Sequence, residues 1–214
     1  MNYKDINKKT YSSISENWET KRRHAWRPVV EFLQNIKEKD ARILDLGCGA
    51  GRHLELAKEL GFIDLTGADF AQQLLMLVEA KGFKTQLSDM ENLKFDDNNF
   101  DIILNIAALH HLLEHDEQLK ALQEMHRVVV DKGLILLSVW IPSIAYINDQ
   151  IAKGKFTLLD KKRAKITYTA ERKVFDRYYY FFEEDELIDL CEKSNFYVIA
   201  KQYDRDNLYL ILKK

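Results

Sequence analysis

The twelve residues 41–52, A-R-I-L-D-L-G-C-G-A-G-R, constrain the fold more than any other stretch of the chain. Ile43, Leu44 and Leu46 form a short apolar run, which is typical of a buried strand in a parallel sheet. Three of the next five residues, 47–51, are glycines, and residues 53–60 have the pattern of a helix. A strand that passes through glycines into a helix predicts a small-ligand site, because bare backbone can approach the ligand and helix N–H groups face it.

The spacing of these glycines argues against a dinucleotide as the ligand. The dinucleotide fingerprint needs a third glycine or alanine three positions after the second, and Arg52 occupies that position. Asp45 stands two residues before the first glycine, where its carboxylate would repel a pyrophosphate and suit an ammonium group. The turn therefore predicts a nucleoside ligand without phosphates. The alternative is a glycine-rich turn with no ligand.

The sequence D-L-G-C-G-A-G at 45–51 resembles motif I of class I S-adenosylmethionine-dependent methyltransferases. The resemblance implies an α/β fold, a Rossmann-like sandwich whose mostly parallel seven-stranded sheet has a C-terminal antiparallel strand and N-terminal capping helices. It also implies S-adenosyl-L-methionine as the cofactor. The cofactor-binding residues that we predict are Asp45, Gly47, Cys48, Gly49, Asp69, Phe70, Asp89, Met90 and Asn105.

Two of these acids follow predicted strands. Asp69 closes the strand predicted over 65–70, where an acid commonly accepts hydrogen bonds from ribose hydroxyls. The alternative for Asp69 is a helix N-cap. Asp89 follows the strand predicted over 83–87, where the resemblance places an acid against the adenine amino group and Met90 against the ring. The alternative for Asp89 is a turn aspartate.

The remaining pattern predicts a single domain of 214 residues. Apolar runs predict further strands over 100–106, 134–140, 196–202 and 208–212, and apolar spacing predicts helices over 71–81, 117–130 and 184–194. Two N-terminal helices, one carrying Tyr11, Ile14 and Trp18 on one face and one starting near Pro28, would cover the sheet. We expect a helical cap at 1–38, a cofactor-binding core at 39–140, a basic insertion and substrate region at 141–183, and a C-terminal helix and strand pair at 184–214.

His110 follows the fourth predicted strand, within the sequence A-A-L-H-H-L at 107–112. Open α/β sheets bind their ligands at this edge, so we expect His110 to line the cofactor or substrate cleft. The spacings of the nearby histidines and of Glu114 match no zinc motif. We therefore predict no metal site.

Composition argues against several other classes of protein. The formal net charge is −2, and 46% of the residues are hydrophobic, as in soluble globular proteins. Cys48 and Cys191 are too few for a disulfide framework and do not have the spacing of metal ligands. Residues 1–10 do not resemble a signal peptide, and no apolar stretch is long enough to span a membrane. We therefore expect a cytoplasmic protein with free thiols and neither a membrane nor a DNA partner.

Basic residues are concentrated in one part of the chain. Residues 149–177 contain nine basic and four acidic side chains, and a second basic cluster lies at 21–27. The stretch 141–176 shows no apolar periodicity. A polar insertion of this length in an α/β domain predicts either a functional segment or a solvated, lysine-rich loop.

Three stretches resemble the wobble-uridine tRNA methyltransferases, which esterify a carboxymethyl group on an anticodon uridine. They are Y-S-S-I-S-E-N-W-E-T-K-R-R-H-A-W-R-P-V-V-E-F-L at 11–33, I-A-A-L-H-H-L at 106–112 and R-Y-Y-Y-F-F-E-E-D-E-L at 177–187. The chain departs from that family at Lys21, Ala50 and Tyr180, where relatives commonly have Thr, Asn and His. The resemblance implies the tRNA anticodon loop as substrate, bound through the basic clusters, and a small zinc-binding activator subunit as a partner.

A carboxymethyl acceptor would be ionised at neutral pH and would need no general base. The enzyme must instead orient one carboxylate oxygen, which calls for a cation and hydrogen-bond donors. The catalytic residues that we predict are Arg22, Arg177, Tyr178 and His110, with Tyr179 as a further candidate. For Arg177 the alternative is an ion pair with the acidic run that follows it, and for the tyrosines an ordinary strand. Two alternatives for the whole chain are a small-molecule methyltransferase and a non-catalytic cofactor-binding subunit.

Overall fold

A computed structural model describes residues 2–14, 25–170 and 173–214. Its helices are α1 (Tyr3–Ser13), α2 (Arg27–Gln34), α3 (Arg52–Glu59), α4 (Gln72–Ala80), α5 (His115–Val128), α6 (Ile144–Ala152) and α7 (Glu184–Lys193). Its strands are β1 (Arg42–Leu46), β2 (Asp64–Asp69), β3 (Lys84–Leu87), β4 (Phe100–Ile106), β5 (Val129–Trp140), β6 (Phe156–Leu158), β7 (Arg163–Ala170), β8 (Lys173–Tyr180), β9 (Tyr197–Asp204) and β10 (Asn207–Lys213). None of the helices in these ranges is both long and apolar enough to cross a membrane.

Seven strands form one sheet in the order β3-β2-β1-β4-β5-β10-β9. The first five are parallel to one another, and β10 runs antiparallel to both β5 and β9. The predicted fold, a mostly parallel sheet with an antiparallel C-terminal strand, is therefore confirmed. The strand order reverses between β1 and β4, and the carboxyl ends of strands at such a reversal are where α/β sheets bind ligands.

Both faces of this sheet are buried at its central strands, as the apolar run in β1 predicts. Ile43 lies in an apolar cluster with residues of α2, α3 and α4 on one face. Its neighbour Leu44 lies in a second cluster, with residues of α5 and α7, on the other face. Successive side chains of a strand point to opposite faces, so a strand covered on both sides carries apolar residues at neighbouring positions.

Helix α1 lies earlier in the chain than the predicted helix that carries Tyr11, Ile14 and Trp18, and α2 lies where the second helix was predicted. Helix α1 ends at Ser13, and Tyr11 and Ile14 are buried against residues of α4. Trp18, predicted on the same face, lies outside the described residues. Helix α2 starts with Pro28 in its first turn, as the sequence predicts, because the missing N–H of proline costs nothing there.

The segment 141–176, whose sequence shows no apolar periodicity, is not an irregular loop. This segment forms α6 and most of a second, three-stranded antiparallel sheet in the order β6-β7-β8. In β7 the buried Ala164 and Ile166 alternate with partly exposed polar residues such as Lys165. Because small and charged side chains alternate along this strand, its sequence resembles a polar loop.

Candidate active site

A cleft opens at the carboxyl ends of β1, β2 and β4, beside the glycine turn that follows β1. It encloses about 820 Å³, counting its open mouth. Six of the predicted cofactor-binding residues line it: Gly47, Cys48, Gly49, Asp69, Phe70 and Met90. Tyr11 of α1 and His111 also line it and had not been predicted as site residues. The structure thus brings six of the nine predicted cofactor-binding residues to one cleft, and Tyr11 of α1 adds a wall that the sequence analysis did not include.

The glycine turn brings bare backbone against the cleft. Gly47, Gly49 and Gly51 have φ of +78°, +55° and +82°, a region that side chains rarely adopt. A Cβ atom on Gly47 would lie 2.5 Å from the Cβ atom of Ala108. The N–H groups of Gly47 and Cys48 both donate to the carbonyl of Ala68, which ties the turn to the end of β2.

Asp45 carries a buried carboxylate that no described group satisfies. The residue is 1% exposed, and neither of its carboxylate oxygens has a hydrogen-bond partner among the described residues. The Nδ1 atom of His53 lies 3.8 Å from Asp45 Oδ2, and burial lowers the pKa of His53, which favours the neutral imidazole. A neutral ring does not offset the carboxylate charge. A buried, unpaired anion is costly, so this position is suited to a ligand that brings a cation.

Asp69 joins the glycine turn to the start of α4. Its Oδ2 accepts a hydrogen bond from Gly49 N at 3.0 Å, and its Oδ1 accepts one from Ala71 N at 2.9 Å. Burial raises the pKa of Asp69 to about 6, in spite of these bonds, which act to lower it. Ala71 occupies the N-cap position of α4, so Asp69 is not the cap of that helix. Each oxygen retains further acceptor capacity toward the cleft.

Three predicted residues at the far end of the cleft are placed differently from one another. Met90 lines the cleft, and its Sδ accepts a hydrogen bond from the fully buried Asn105. Asn105 also donates to the carbonyl of Leu46 and does not line the cleft, so it supports the wall from behind. Asp89 is not a lining residue either, because its side chain is 42% exposed and pairs with Lys4 of α1 at 3.4 Å.

Of the two adjacent histidines, the structure places His111 rather than His110 on the wall of the cleft. His110 is buried, its Nδ1 accepts a hydrogen bond from Trp140 N, and its ring stacks on Tyr179. His111 Nδ1 lies 3.1 Å from the carbonyl oxygen of Tyr178. A carbonyl only accepts, so Nδ1 carries the proton. In the neutral ring, Nε2 then accepts the hydroxyl of Tyr11 at 2.8 Å.

Strand alternation decides which aromatic residues of β8 reach this region. The guanidinium of the buried Arg177 lies 4.9 Å from the ring centroid of Tyr168 and 5.5 Å from that of Tyr179. The Tyr179 and Tyr11 hydroxyl oxygens are 3.4 Å apart. Tyr178 was predicted to be catalytic, but its ring packs instead on Tyr3, with 4.7 Å between centroids. Tyr179, the further candidate, lies on the same side of β8 as Arg177, because neighbouring residues of a strand face opposite ways.

Arg22, also predicted to be catalytic, lies outside the described residues. The alternative for Arg177 was an ion pair with the acidic run at 183–186. In the structure, two acids of that run pair with lysines. Lys162 bonds Glu186 at 2.9 Å, and Lys201 bonds Glu184. A permanently charged guanidinium and the hydroxyl of Tyr179 therefore lie next to a cleft that the buried carboxylate of Asp69 lines. Such a group of donors is suited to hold an anion.

Both cysteines are buried thiols outside any disulfide. Burial, followed by the charges of Asp69 and Asp45, raises the pKa of Cys48, and burial raises the pKa of Cys191 to about 12. Thiols with raised pKa values are poor nucleophiles at neutral pH. Within the described ranges, no three His, Cys, Asp or Glu side chains are placed to hold one metal ion.

Comparison with known proteins finds a methyltransferase domain in this chain. A family model described as a methyltransferase domain matches residues 44–137. The tRNA (carboxymethyluridine(34)-5-O)-methyltransferase of Schizosaccharomyces pombe is 27% identical over 220 residues, covering 95% of this chain and 94% of the relative. The enzyme of the same name from Arabidopsis thaliana is 33% identical over 132 residues, covering 62% of this chain and 32% of the relative.

Solved structures share the fold at low identity. The 1,6-didemethyltoxoflavin-N1-methyltransferase of Burkholderia thailandensis, solved with S-adenosylhomocysteine, has a TM-score of 0.71 and 20% identity, covering 99% of this chain and 88% of that one. The protein solved in complex with the Haloferax volcanii Trm112 methyltransferase activator has a TM-score of 0.70 and 12% identity, covering 95% and 96%. The methyltransferase domain matched at 44–137 and the relatives named as methyltransferases support an S-adenosylmethionine-dependent methyltransferase, and the solved structures share its fold.

Proposed function

We propose that the chain transfers a methyl group to the carboxymethyl group of a modified wobble uridine in tRNA and so forms a methyl ester. The observation that carries this proposal is the position of Arg177, which is buried over two tyrosine rings beside the cleft. A relative of nearly the same length, from Schizosaccharomyces pombe, carries the name of that activity.

The cleft fits S-adenosylmethionine. The unsatisfied carboxylate of Asp45 suits the methionyl ammonium, and Asp69 suits the ribose hydroxyls. Met90 and Phe70 offer apolar surface for the adenine ring. Asp89 is bonded to Lys4, so we assign the adenine end to Met90 and Ser88 instead. When bound, the cofactor supplies a methyl group on a sulfonium centre.

The acceptor needs orientation and not deprotonation. A carboxymethyl group has a pKa near that of other carboxylic acids, about 4, and is already a nucleophile at neutral pH. The Arg177 guanidinium would hold one oxygen, and the hydroxyl of Tyr179 would fix the plane of the group. The proton of the Tyr11 hydroxyl is already donated to His111 Nε2. Correct orientation of two reactants can contribute roughly 7–11 kcal/mol to catalysis.

The structure changes which lysines we propose as phosphate contacts. Lys162 and Arg163 lie within ion pairs with Glu186, Asp160 and Glu114. Within the described ranges, Lys155, Lys161 and Lys173 are exposed and have no ion-pair partner. Neutralising phosphates releases counterions, so affinity supplied by these lysines would decrease with salt.

A partner that covers one edge of the main sheet is part of the proposal. The protein solved with the Haloferax volcanii activator shares the fold. Exposed apolar side chains lie at both edges here, at Leu87 of β3 and at Tyr197, Ile199 and Tyr203 of β9. Exposed apolar groups on an edge strand favour a covering subunit.

Asp69→Asn is expected to weaken cofactor binding by about tenfold or more, because the amide nitrogen of Asn faces backbone N–H groups and leaves a buried donor unpaired, which costs about 1–3 kcal/mol. Since burial raises the pKa of Asp69 to about 6, cofactor affinity should increase as pH rises through about 6. In the variant this dependence should be lost. Calorimetric titration with S-adenosylhomocysteine between about pH 5 and 8 measures both effects. Unchanged affinity at every pH would refute the ribose assignment.

The proposed activity is tested by radiolabelled methyl transfer from S-adenosylmethionine to tRNA whose wobble uridine carries a carboxymethyl group. The same tRNA without that group is the matched control. An ester is cleaved by alkali, so we expect label on the modified tRNA alone and its release by base. Label that survives base would place the methyl group on another atom. No label on tRNA, when cofactor binding is intact and the activator is present, would favour a small-molecule acceptor.

A further inference from the structure

Helix α1 covers the free edge of β8. In the small sheet β8 pairs with β7 on one side, with Arg177 opposite Ile166 and Tyr178 opposite Lys165. Main-chain groups of an antiparallel strand point alternately to its two sides. Those of Asp176 and Tyr178 point away from β7, toward α1, where α1 side chains bond them.

Asn7 replaces the missing neighbour strand at this edge. It is 1% exposed, its Oδ1 accepts a hydrogen bond from Tyr178 N at 2.7 Å, and its Nδ2 donates to Tyr178 O at 3.0 Å. A side-chain amide has the same donor and acceptor as a peptide group, so the pair resembles one rung of a β-ladder. Thr10, three residues further on α1, donates to the carbonyl of Asp176 at 2.8 Å.

The carbonyl that Asn7 holds also holds the histidine of the cleft. Tyr178 O accepts from His111 Nδ1 at 3.1 Å, and Asn7 Nδ2 lies 3.5 Å from His111 O. His111 in turn accepts the hydroxyl of Tyr11, which lies on α1 one turn after Asn7. Asn7, Tyr178, His111 and Tyr11 thus form a closed circuit. Asp69, on the cofactor side, is held by Gly49 and Ala71, outside it.

We propose that Asn7 is a positioning residue for the methyl acceptor. It fixes the main chain between Arg177 and Tyr179 and, through the carbonyl of Tyr178, sets the tautomer of His111 and hence the direction of the Tyr11 hydroxyl. The proposal rests on the proposed function only where it assigns Arg177 and Tyr179 to the acceptor. Asn7 touches neither reactant; it acts through the strand.

The test compares Asn7→Asp with Thr10→Val. The first keeps the size of the side chain and loses the donor to Tyr178 O. The second removes the bond to Asp176 from the same helix and leaves Tyr178 and His111 held. We expect Asn7→Asp to lower kcat/KM for the acceptor at least tenfold with the Kd of S-adenosylhomocysteine within twofold of wild type. Thr10→Val should lower Tm by about as much as Asn7→Asp does and change kcat/KM less than threefold.

Equal losses of kcat/KM in both variants would overturn the proposal, because they would show that α1 docking alone matters. A parallel loss of S-adenosylhomocysteine affinity in Asn7→Asp would overturn it too.

A second readout needs no substrate. Nitrogen NMR of the His111 ring, assigned with His111→Gln, should show the Nδ1–H tautomer in wild type and a mixture in Asn7→Asp. An unchanged spectrum would contradict the proposal. If wild type fails to methylate tRNA, the proposed function is lost while this spectrum still decides the role of Asn7.

Discussion

Replacing Arg177 by Gln should lower kcat/KM for the acceptor by about 10- to 150-fold and leave cofactor affinity unchanged. The size follows from the roughly 1.5–3 kcal/mol that a hydrogen bond to a charged group contributes. The structural reason is that Arg177 of β8 lies over Tyr168 of β7 and Tyr179 of β8, whereas the carboxylates at the cofactor end belong to β1 and β2. Steady-state kinetics with acceptor as the varied substrate, and calorimetry with S-adenosylhomocysteine, measure the two quantities separately.

Arg177→Lys is the matched variant, because it keeps the charge and loses the planar fork that bonds a carboxylate twice. It should recover part of the lost turnover. The melting temperature of both variants separates a folding defect from a kinetic one, since Arg177 is buried. Intact turnover at saturating cofactor, with weaker cofactor binding, would mean that Arg177 belongs to the other half of the site.

Gly47→Ala should destabilise the fold by about 2–5 kcal/mol and abolish measurable cofactor binding. The left-handed backbone costs an alanine roughly 1–2 kcal/mol, and an overpacked contact adds about 1–3. The contact is specific, because the new Cβ atom would lie 2.5 Å from that of Ala108. Chemical denaturation gives the change in unfolding free energy, and calorimetry gives the loss of binding.

Gly61→Ala is the control for this prediction. Gly61 also has positive φ, +91°, but a Cβ atom there would meet nothing within 4 Å. It therefore reports the backbone cost alone and should leave cofactor binding intact. If both alanine variants lost the same stability and bound cofactor equally well, the close approach of the turn to Ala108 would have no functional weight.

The sequence predicted the central sheet and the glycine turn well, because both depend on local patterns. Residues 41–52 carry the strand, the turn and the helix start within one stretch. The strand-end acid Asp69 closes the next predicted strand. The parts that the sequence missed depend on where side chains point. His110 and Tyr178 each lie one position from a residue that reaches the cleft region, His111 and Tyr179.

A single-residue shift of this kind has a physical basis. Two identical neighbours in a strand face opposite sides, and the register of the strand decides which of them faces the ligand. The sequence alone does not give that register. Nothing in H-H or Y-Y-Y distinguishes them. The role of Asn7 has no sequence signal at all, because a polar residue on an N-terminal helix is most often a solvated one.

The bonds between α1 and β8 also imply that the two halves of the site differ in the chain entropy that their formation costs. Asp69 and Gly49, which shape the cofactor end, are 20 residues apart, whereas Asn7 and Tyr178 are separated by 171. Closing the longer loop costs more chain entropy. We therefore expect the contact between Asn7 and Tyr178 to form late in folding. A local opening that frees α1 would leave the central sheet paired and the glycine turn and Asp69 in place. Such a species would hold the methyl donor in a protein that has no place for the acceptor.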